Sequence, residues 1–435
     1  MTRCAPTVPG RLPLLGHAVP LIRRPVDFVS SLRRYGDVVR IFLGPVPVYF
    51  VTDARLVHQM LTTDAEKYTR GRVFDKARRF FGESVAIVSG QQHRTTRRML
   101  QPAFAMNRMP HYLAAMNHAV AEQTATWRAG DRIAVEEQMH LLSATLLARP
   151  LFGDLLTDAE VRDICRCANI VMRGAYIRTV LPSAFDALPL RTNHEFSQAI
   201  ARLQAIMRRL IQTYRLQALD NGDLLSLLLA TDGLTDQQIC DEIITIMVGG
   251  LGNTAAALAW TFYELANDPA AETRLHDEVD TVLGDQPVGT DELSRLTFTA
   301  RCVNEAVRPR GVWLLIRRTL VPVVLGDVHM PAGTEVMYSL TALHRDPRFF
   351  PDPTSFKPDR LLPDAARMLP RHTYIPFGAG AHKCIGEHFG TTATTLTIAT
   401  IARNWRLRLI PGQRTREVVD ATVRPHRLLM TLERR

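Results

Sequence analysis

The feature that most constrains the fold is a single long helical pattern in the middle of the chain. Thr235 is a predicted N-cap with Gln238 as its capping-box partner, and Asp268-Pro269 ends the pattern. About 33 residues at 1.5 Å per residue span roughly 50 Å. The helix is therefore predicted to cross an entire domain.

Three glycines lie inside this helix and need a physical reason. Gly249, Gly250 and Gly252 together cost about 2–3 kcal/mol relative to alanine. Two interpretations are open at this point. Either a neighbouring helix packs closely against the backbone, or something flat or bulky lies there.

The remaining pattern predicts a mainly α fold with small β-sheets. Residues 38–51 alternate around Gly44-Pro45 as a hairpin does, and the helical period then dominates to about residue 319. Strand patterns return at 334–340 and 424–432, so we expect a small sheet built from both ends of the sequence. Because no repeat or linker divides the chain, we predict a single domain, 1–435, with its β-rich part at approximately 38–52 and 312–340.

The composition is that of a globular protein, with 46% apolar and 22% charged residues. The net charge of +10 comes almost wholly from arginine, since only four of the 53 basic residues are lysines. These arginines are spread along the chain and lack interleaved aromatic stacking platforms. We therefore expect no nucleic-acid partner.

The cysteines and the N-terminus both indicate a cytoplasmic protein. Six cysteines in 435 residues do not make a disulfide framework, and we interpret all except Cys384 as ordinary thiols of a reducing compartment. Prolines at positions 6, 9, 13 and 20 interrupt the N-terminal apolar stretch, which is not a signal sequence or a membrane span. The sequence predicts a soluble protein with no membrane anchor.

The strongest chemical signal is a cysteine in a glycine-rich loop at residues 376–386. Flanking glycines permit a tight loop whose backbone N–H groups turn toward the sulfur and tune a bound metal. A cationic His382 or Lys383 beside Cys384 favours the thiolate form. The loop reads Pro376-Phe377-Gly378-Ala379-Gly380-Ala381-His382-Lys383-Cys384-Ile385-Gly386.

This loop resembles the heme-binding signature of the cytochrome P450 family, F-x-x-G-x-H/R-x-C-x-G. Its fixed positions are met by Phe377, Gly380, His382, Cys384 and Gly386, and the resemblance extends over essentially the whole chain. It implies the family's fold, a triangular prism-like helical domain with a minor β-rich region. It also implies heme b (iron protoporphyrin IX) as the cofactor, with Cys384 as the iron ligand.

Two further segments match motifs that are structural in this family. Glu305 and Arg308 form its E-x-x-R, and Arg360 ends the segment whose arginine completes a buried triad with that pair. On a surface such a pair contributes about 0–1 kcal/mol. Loss of one member of a buried triad is expected to cost about 3–5 kcal/mol.

A set of basic residues matches the positions that bind the two heme propionates. His93 and Arg97 are four residues apart on a predicted helix, where without the cysteine loop a solvated basic face would be the better interpretation. The resemblance adds Arg317 and His382 to this set. Charge-assisted hydrogen bonds from fixed cations suit carboxylates.

The long helix departs from the family's oxygen-binding sequence, A-G-x-D/E-T-T. Gly252 replaces the acid and Asn253 the first threonine, so the expected catalytic residues are Gly250, Asn253 and Thr254. An asparagine amide can position water or bind oxygen, but it is not a proton donor of the acid–alcohol kind. Either the substrate or ordered water supplies the relay, or the reaction is not ordinary hydroxylation.

A second departure bears on the substrate pocket. The segment between Arg308 and Arg317 is one residue shorter than expected, which places Trp313 and Leu314 over the heme edge. The predicted pocket residues are apolar or aromatic and so favour an apolar ligand. They are Phe74, Phe80, Phe81, Val85, Ile87, Ile246, Gly249, Val312, Trp313 and Leu314.

The leading prediction is a monomeric heme-thiolate monooxygenase that inserts one oxygen atom from O2 into a small apolar substrate. The chain is similar to bacterial terpene-oxidising members of secondary metabolism. No flavin or nucleotide motif occurs, so electrons are expected from ferredoxin and ferredoxin reductase, or from another flavoprotein. A basic docking face for such an acidic donor is predicted at Arg97, Arg98, Arg310, Arg371 and Lys383.

Two alternatives remain open from the sequence. One is a family member that couples, rearranges or uses peroxide, because Gly252 and Asn253 replace the usual residues. The other is a heme-binding sensor or storage protein without turnover. Tight coupling of cofactor oxidation to product would count against the first, and product formation against the second.

Overall fold

A computed structural model describes residues 3–180, 188–217, 219, 222–370 and 372–435. The helices are α1 Ala18–Arg23, α2 Pro25–Ser31, α3 Ala54–Leu61, α4 Arg72–Phe81, α5 Gly90–Leu100, α6 Met109–Ala125, α7 Val135–Phe152, α8 Asp158–Val180, α9 Arg191–Gln217, α10 Leu224–Leu229, α11 Asp236–Asn267, α12 Pro269–Leu283, α13 Thr290–Arg295, α14 Thr297–Val307, α15 Leu340–His344, α16 Pro363–Met368 and α17 Glu387–Asn404. The strands are β1 Val38–Leu43, β2 Val46–Val51, β3 Tyr68–Arg70, β4 Arg132–Ala134, β5 Leu315–Thr319, β6 Val323–Leu325, β7 Val328–Met330, β8 Glu335–Tyr338, β9 Trp405–Leu409, β10 Arg416–Val419, β11 Val423–His426 and β12 Leu429–Arg434.

Helix α11 is the predicted long helix, and its start is confirmed. The Thr235 hydroxyl accepts the backbone N–H of Gln238, and the Gln238 side chain accepts the backbone N–H of Thr235 in return. The helix packs against α7, α9, α14 and α17 at the centre of the fold. Within the described residues it alone is long and apolar enough to span a membrane, but 61% of its apolar window is buried inside the protein.

The main sheet combines strands from both halves of the chain. Its order is β1-β2-β8-β5-β3, in which β1 and β2 form the predicted hairpin and β2 runs parallel to β8. Both predicted β-rich ranges contribute to it, which supports our proposal that residues 1–435 form one domain. The prediction that the last strands join this sheet was wrong. Instead β12 pairs with β9, the strand that directly follows α17, and with β4.

The E-x-x-R pair and Arg360 meet in the interior as a triad. Glu305 accepts from Arg308 Nε at 2.8 Å and from Arg360 Nε at 2.7 Å, and the side chains of Glu305 and Arg308 are fully buried. Arg308 also donates to the carbonyl oxygens of His344 and Pro353. Its guanidinium therefore ties the end of α14 to the segment that leads toward the cysteine loop.

His344 continues this connection and was not singled out in the sequence. The backbone N–H of Ile375 donates to His344 Nε2 at 3.1 Å, so Nδ1 carries the proton and donates to the Arg308 carbonyl at 3.1 Å. Complete burial, with the Arg308 charge nearby, lowers the pKa of His344 to about 3. A neutral imidazole thus joins the triad to the residue that enters the cysteine loop.

We expect Glu305→Gln to lower the free energy of unfolding by about 3–5 kcal/mol, because it leaves two buried arginines without their carboxylate. Glu195→Gln is the matched control, since Glu195 pairs with Arg191 on an exposed helix face. Denaturant unfolding of the two variants measures the difference. A loss at Glu305 no larger than that of the control would contradict a stabilising triad.

Candidate functional site

The cysteine loop folds back on itself immediately before α17. The backbone N–H of Cys384 donates to the Phe377 carbonyl at 2.8 Å. Gly378 and Gly380 adopt φ values of +76° and +70°, which favour glycine. A Cβ on Gly380 would overlap the Leu61 carbonyl, so this glycine lets the loop pack against the end of α3.

A cavity of about 420 Å³ lies between this loop, α11, α17 and β5. Gly249, Gly386 and Gly390 line it, and a Cβ added to any of them would meet no atom within 4 Å. These backbones therefore border open space. At Gly250 the same Cβ would lie 3.1 Å from Leu147 of α7. Both interpretations of the helix glycines thus apply, close packing at Gly250 and an open face at Gly249.

One wall of the cavity is a cluster of cations and imidazoles. Arg70 Nη2 lies 3.0 Å from His382 Nδ1, and the rings of His382 and His93 have centroids 3.9 Å apart. Arg97 donates to the Lys383 carbonyl at 2.6 Å, and Arg317 is 6% exposed. Within the described chain, no carboxylate forms an ion pair with Arg70, Arg97 or Arg317.

The cluster is electrostatically unfavourable by itself. Arg70 and Arg317 are direct partners on β3 and β5, and like charges placed opposite each other destabilise a sheet. Burial and the neighbouring Arg317 lower the pKa of Arg70 to about 9. Burial and the surrounding arginines lower the pKa of His93 to about 4 and that of His382 to about 2. The positive charge at neutral pH therefore belongs to the arginines.

These observations test whether the expected cofactor fits. A heme presents two propionates, and carboxylates are what this group of three arginines lacks. Arg70 Nε is buried without a hydrogen-bond partner, so it has a donor to offer. The glycine-lined space lies between this cluster and Cys384, which also lines the cavity. The residues present fit a heme.

The thiol of Cys384 does not form a thiolate on account of the protein alone. Burial raises its pKa above the ordinary value, while the N–H of Gly386 and the charges of Arg97 and Lys383 oppose that shift. A cationic metal is the additional charge that would favour the thiolate. The backbone N–H of Gly386 points to the sulfur of Cys384, as the glycine-rich sequence indicated.

The three expected catalytic residues all line the cavity on α11. Asn253 Nδ2 donates one N–H to the Gly249 carbonyl one turn earlier at 2.8 Å, which leaves the acceptor Oδ1 and the second N–H of the amide. Gly250 and Thr254 lie beside it. The Asn253 amide thus has both an acceptor and a donor that make no hydrogen bond with the described part of the protein.

Four of the ten predicted pocket residues line the cavity, namely Val85, Ile246, Gly249 and Val312. The other six do not line it in the described structure, and their placement in the pocket is corrected here. They are Phe74, Phe80, Phe81, Ile87, Trp313 and Leu314.

Packing explains these corrections. Phe80 of α4 packs edge-on against Phe196 at 4.7 Å, and Phe74 lies in a separate core cluster below the Arg70 guanidinium. Trp313 is 1% exposed in that cluster and donates to the Asp420 carbonyl. Strand alternation on β5 turns Leu315 and Arg317, rather than the preceding Trp-Leu pair, toward the cavity.

Sequence reasoning missed two polar residues of this site. Arg70 ends a three-residue strand that no periodicity identifies, and it reaches the cluster only through pairing with β5. Thr245 lines the cavity on α11, with its hydroxyl buried and unpartnered. The helical spacing from Gly249 was the only signal that placed Thr245 on this face.

The comparisons agree with this site. The family model described as Cytochrome P450 matches residues 6–431. Cyclooctat-9-en-7-ol 5-monooxygenase of Streptomyces melanosporofaciens is 38% identical over 415 residues, which are 93% of this chain and 90% of the relative. Cyclooctatin synthase of the same organism is 39% identical over 97% of this chain and 94% of its own.

A third relative and one solved structure are also similar to this chain. Pentalenene oxygenase of Streptomyces avermitilis is 34% identical over all of this chain and 98% of its own. The crystal structure of the cytochrome P450DA heme domain superposes with a TM-score of 0.88, covering 100% of this chain and 98% of that one at 23% identity. This chain therefore belongs to the cytochrome P450 family, is a monooxygenase of that family, and takes heme b as its cofactor.

Proposed function

We propose that this monooxygenase oxidises a terpenoid and that Cys384 would hold the iron of its heme. The observation that carries the proposal is the apolar cavity between Cys384 and α11, closed at one wall by the arginine cluster. The names of three relatives, a cyclooctatenol monooxygenase, cyclooctatin synthase and pentalenene oxygenase, support the substrate class. We assign the enzyme to the cytoplasm as a monomer.

The chain's own residues would hold the cofactor at its two ends. Arg70, Arg97 and Arg317, with His93 and His382, would bind the propionates, and neutralising the arginines would relieve their mutual repulsion. Phe377, Gly380 and Gly386 shape the loop that presents the Cys384 sulfur. When bound, heme with a thiolate ligand supplies activation of O2, as is established for this family.

Asn253 would orient rather than deliver protons. One N–H of its Nδ2 is engaged with the Gly249 carbonyl, so Oδ1 would accept a hydrogen bond from water or from a substrate hydroxyl, and the second N–H would donate one. Gly252 carries no acid. Protons would therefore reach the site through water beside the open Gly249 backbone or through the substrate.

Monooxygenases of this family take electrons from a redox partner, and we propose ferredoxin with ferredoxin reductase. Of the arginines of the expected docking face, Arg98 is exposed, whereas the Arg310 side chain is only 13% exposed and pairs with Glu264 and Glu417. Arg310 is thus removed from that face. Lys383 pairs with Glu387, and Arg371 lies outside the described residues.

Cys384→Ser is expected to abolish the thiolate absorption band of the reduced, carbon-monoxide-bound form, because a serine hydroxyl does not supply a thiolate. Cys4→Ser, at an exposed cysteine, is the control and should retain that band. The absorption spectrum measures both. A Cys384 variant with the unchanged band would show that another residue is the ligand.

Arg70→Leu is expected to weaken retention of heme about tenfold or more, since charge-assisted hydrogen bonds contribute about 1.5–3 kcal/mol. It should have little effect on retention of heme dimethyl ester, which lacks the carboxylate charges. Transfer of each porphyrin to apomyoglobin measures retention, and the exposed neighbour Arg72→Leu is the control. Equal loss of both porphyrins would argue against propionate binding by Arg70.

Asn253→Ala is expected to raise the fraction of consumed oxygen that appears as peroxide, because water near the site loses its Oδ1 acceptor. Asn267→Ala is a matched control, since Asn267 makes the same amide-to-carbonyl bond one turn back on the same helix, far toward its end. Oxygen uptake and peroxide release are compared with product formed. Unaltered coupling in the Asn253 variant would exclude Asn253 from the relay.

A further inference from the structure

Three buried oxygen atoms near the start of α11 make no hydrogen bond in the described structure. They are Ser84 Oγ, Glu242 Oε2 and Thr245 Oγ1. Ser84 is fully buried and Glu242 is 2% exposed. Leaving one buried polar group unsatisfied costs about 1–3 kcal/mol, so buried groups of this kind usually have a partner.

The three atoms belong to one neighbourhood. Glu242 and Thr245 are three residues apart on α11 and so share a face. Ser84 precedes Val85, whose backbone N–H donates to Glu242 Oε1 at 2.8 Å. The loop at residues 84–86 is therefore held against this turn of the helix. Its residues Val85 and Ala86 line the cavity, as does Thr245.

The chemistry of the pair matches a hydroxyl group. Burial, the largest cause, together with the adjacent Asp241 charge, raises the pKa of Glu242 to about 8, so its carboxyl is protonated at neutral pH. Because Oε1 accepts from Val85, the proton on Oε2 is a free donor. Thr245 offers a hydroxyl that both donates and accepts. An alcohol needs one donor and one acceptor partner.

The spacing of Thr245 and Asn253 along α11 gives the distance between these two polar side chains. Thr245 and Asn253 are eight residues apart on α11, about 12 Å along the helix axis. Ile246 and Gly249 form the apolar and open surface between them. A fused-ring molecule that is hydrogen-bonded at Thr245 would thus extend along α11 toward Asn253.

We propose that Thr245, which lines this end of the cavity, is the contact residue of a hydroxyl-binding subsite with Glu242 one turn behind it, and that the substrate is a terpenoid which already carries an alcohol. This inference rests on the proposed function, because it concerns the substrate of the same cavity. It also places the reaction in a sequence. An earlier step, either hydroxylation or capture of water during cyclisation, must supply the alcohol.

The test compares an alcohol with the hydrocarbon of the same skeleton in the heme-loaded protein. The probes are ent-kauran-16-ol with ent-kaurene, and 1-adamantanol with adamantane. The ligand-induced shift of the heme absorption gives each dissociation constant. We expect each alcohol to bind about tenfold more tightly than its hydrocarbon, since a neutral hydrogen bond contributes up to that factor.

The variants separate the subsite from general packing. Thr245→Val keeps the shape and should remove most of the alcohol preference while hydrocarbon affinity stays unchanged. Glu242→Gln keeps both the acceptor for Val85 and a donor, so it should retain the preference. Thr281→Val, at an exposed position on α12, is the control. In infrared difference spectra the protonated Glu242 band should shift with the alcohols and not with the hydrocarbons.

Other outcomes overturn one proposal or the other. Equal affinity of alcohol and hydrocarbon, or equal loss of both in Thr245→Val, would mean that only buried water occupies the subsite and would refute the inference. Preference for adamantanol with no binding of either diterpenoid would keep the subsite and refute the terpenoid assignment. Binding of none of the four probes, with an unshifted Glu242 band, would refute both.

Discussion

The arrangement of the molecule depends on one constraint, that helix α11 crosses the core while leaving part of its backbone uncovered. Gly250 permits this on one side, where Leu147 of α7 approaches to 3.1 Å from a Cβ position. Gly249 leaves the adjacent face open to the cavity. The glycines cost helix stability, and the packing of α11 against four other helices offsets that cost. Part of the cavity surface along α11 is thus made of main chain.

The opposite end of the cavity is organised by electrostatics that the protein leaves incomplete. Arg70 and Arg317 face each other on neighbouring strands without an acid between them. This pair lowers the stability of the folded protein, because each positive charge raises the electrostatic free energy of the other. The triad of Glu305, Arg308 and Arg360 shows the contrast, because there a carboxylate is present and every guanidinium finds acceptors. The Glu305 triad has its carboxylate within the protein, whereas the arginine cluster has no anionic partner among the described residues.

Most of the fold and the centre of the site could be predicted from sequence because their signals are local. The capping box at Thr235 and the glycine-flanked Cys384 depend on residues a few positions apart. Arg70 was missed because its role arises from strand pairing with β5, and His344 because its partners lie 36 and 31 residues away. The prediction that several aromatic residues line the pocket was wrong for a related reason. An aromatic side chain is equally suited to core and cavity, and only the packing of Phe80 on Phe196 or the strand register at Trp313 decides between them.

The main chain of a single residue, Val85, connects the two polar regions of the cavity. The N–H of Val85 donates to Glu242, while its carbonyl accepts from Arg70 Nη2 at 3.4 Å. This residue of the cavity wall is therefore bonded to an arginine of the proposed propionate site on one side and to the proposed hydroxyl subsite on the other. Because Arg70 is shared between the Val85 carbonyl and His382, neutralising its charge with a carboxylate changes the strength of both bonds. A carboxylate bound at Arg70 would therefore act on this loop through the main chain at Val85.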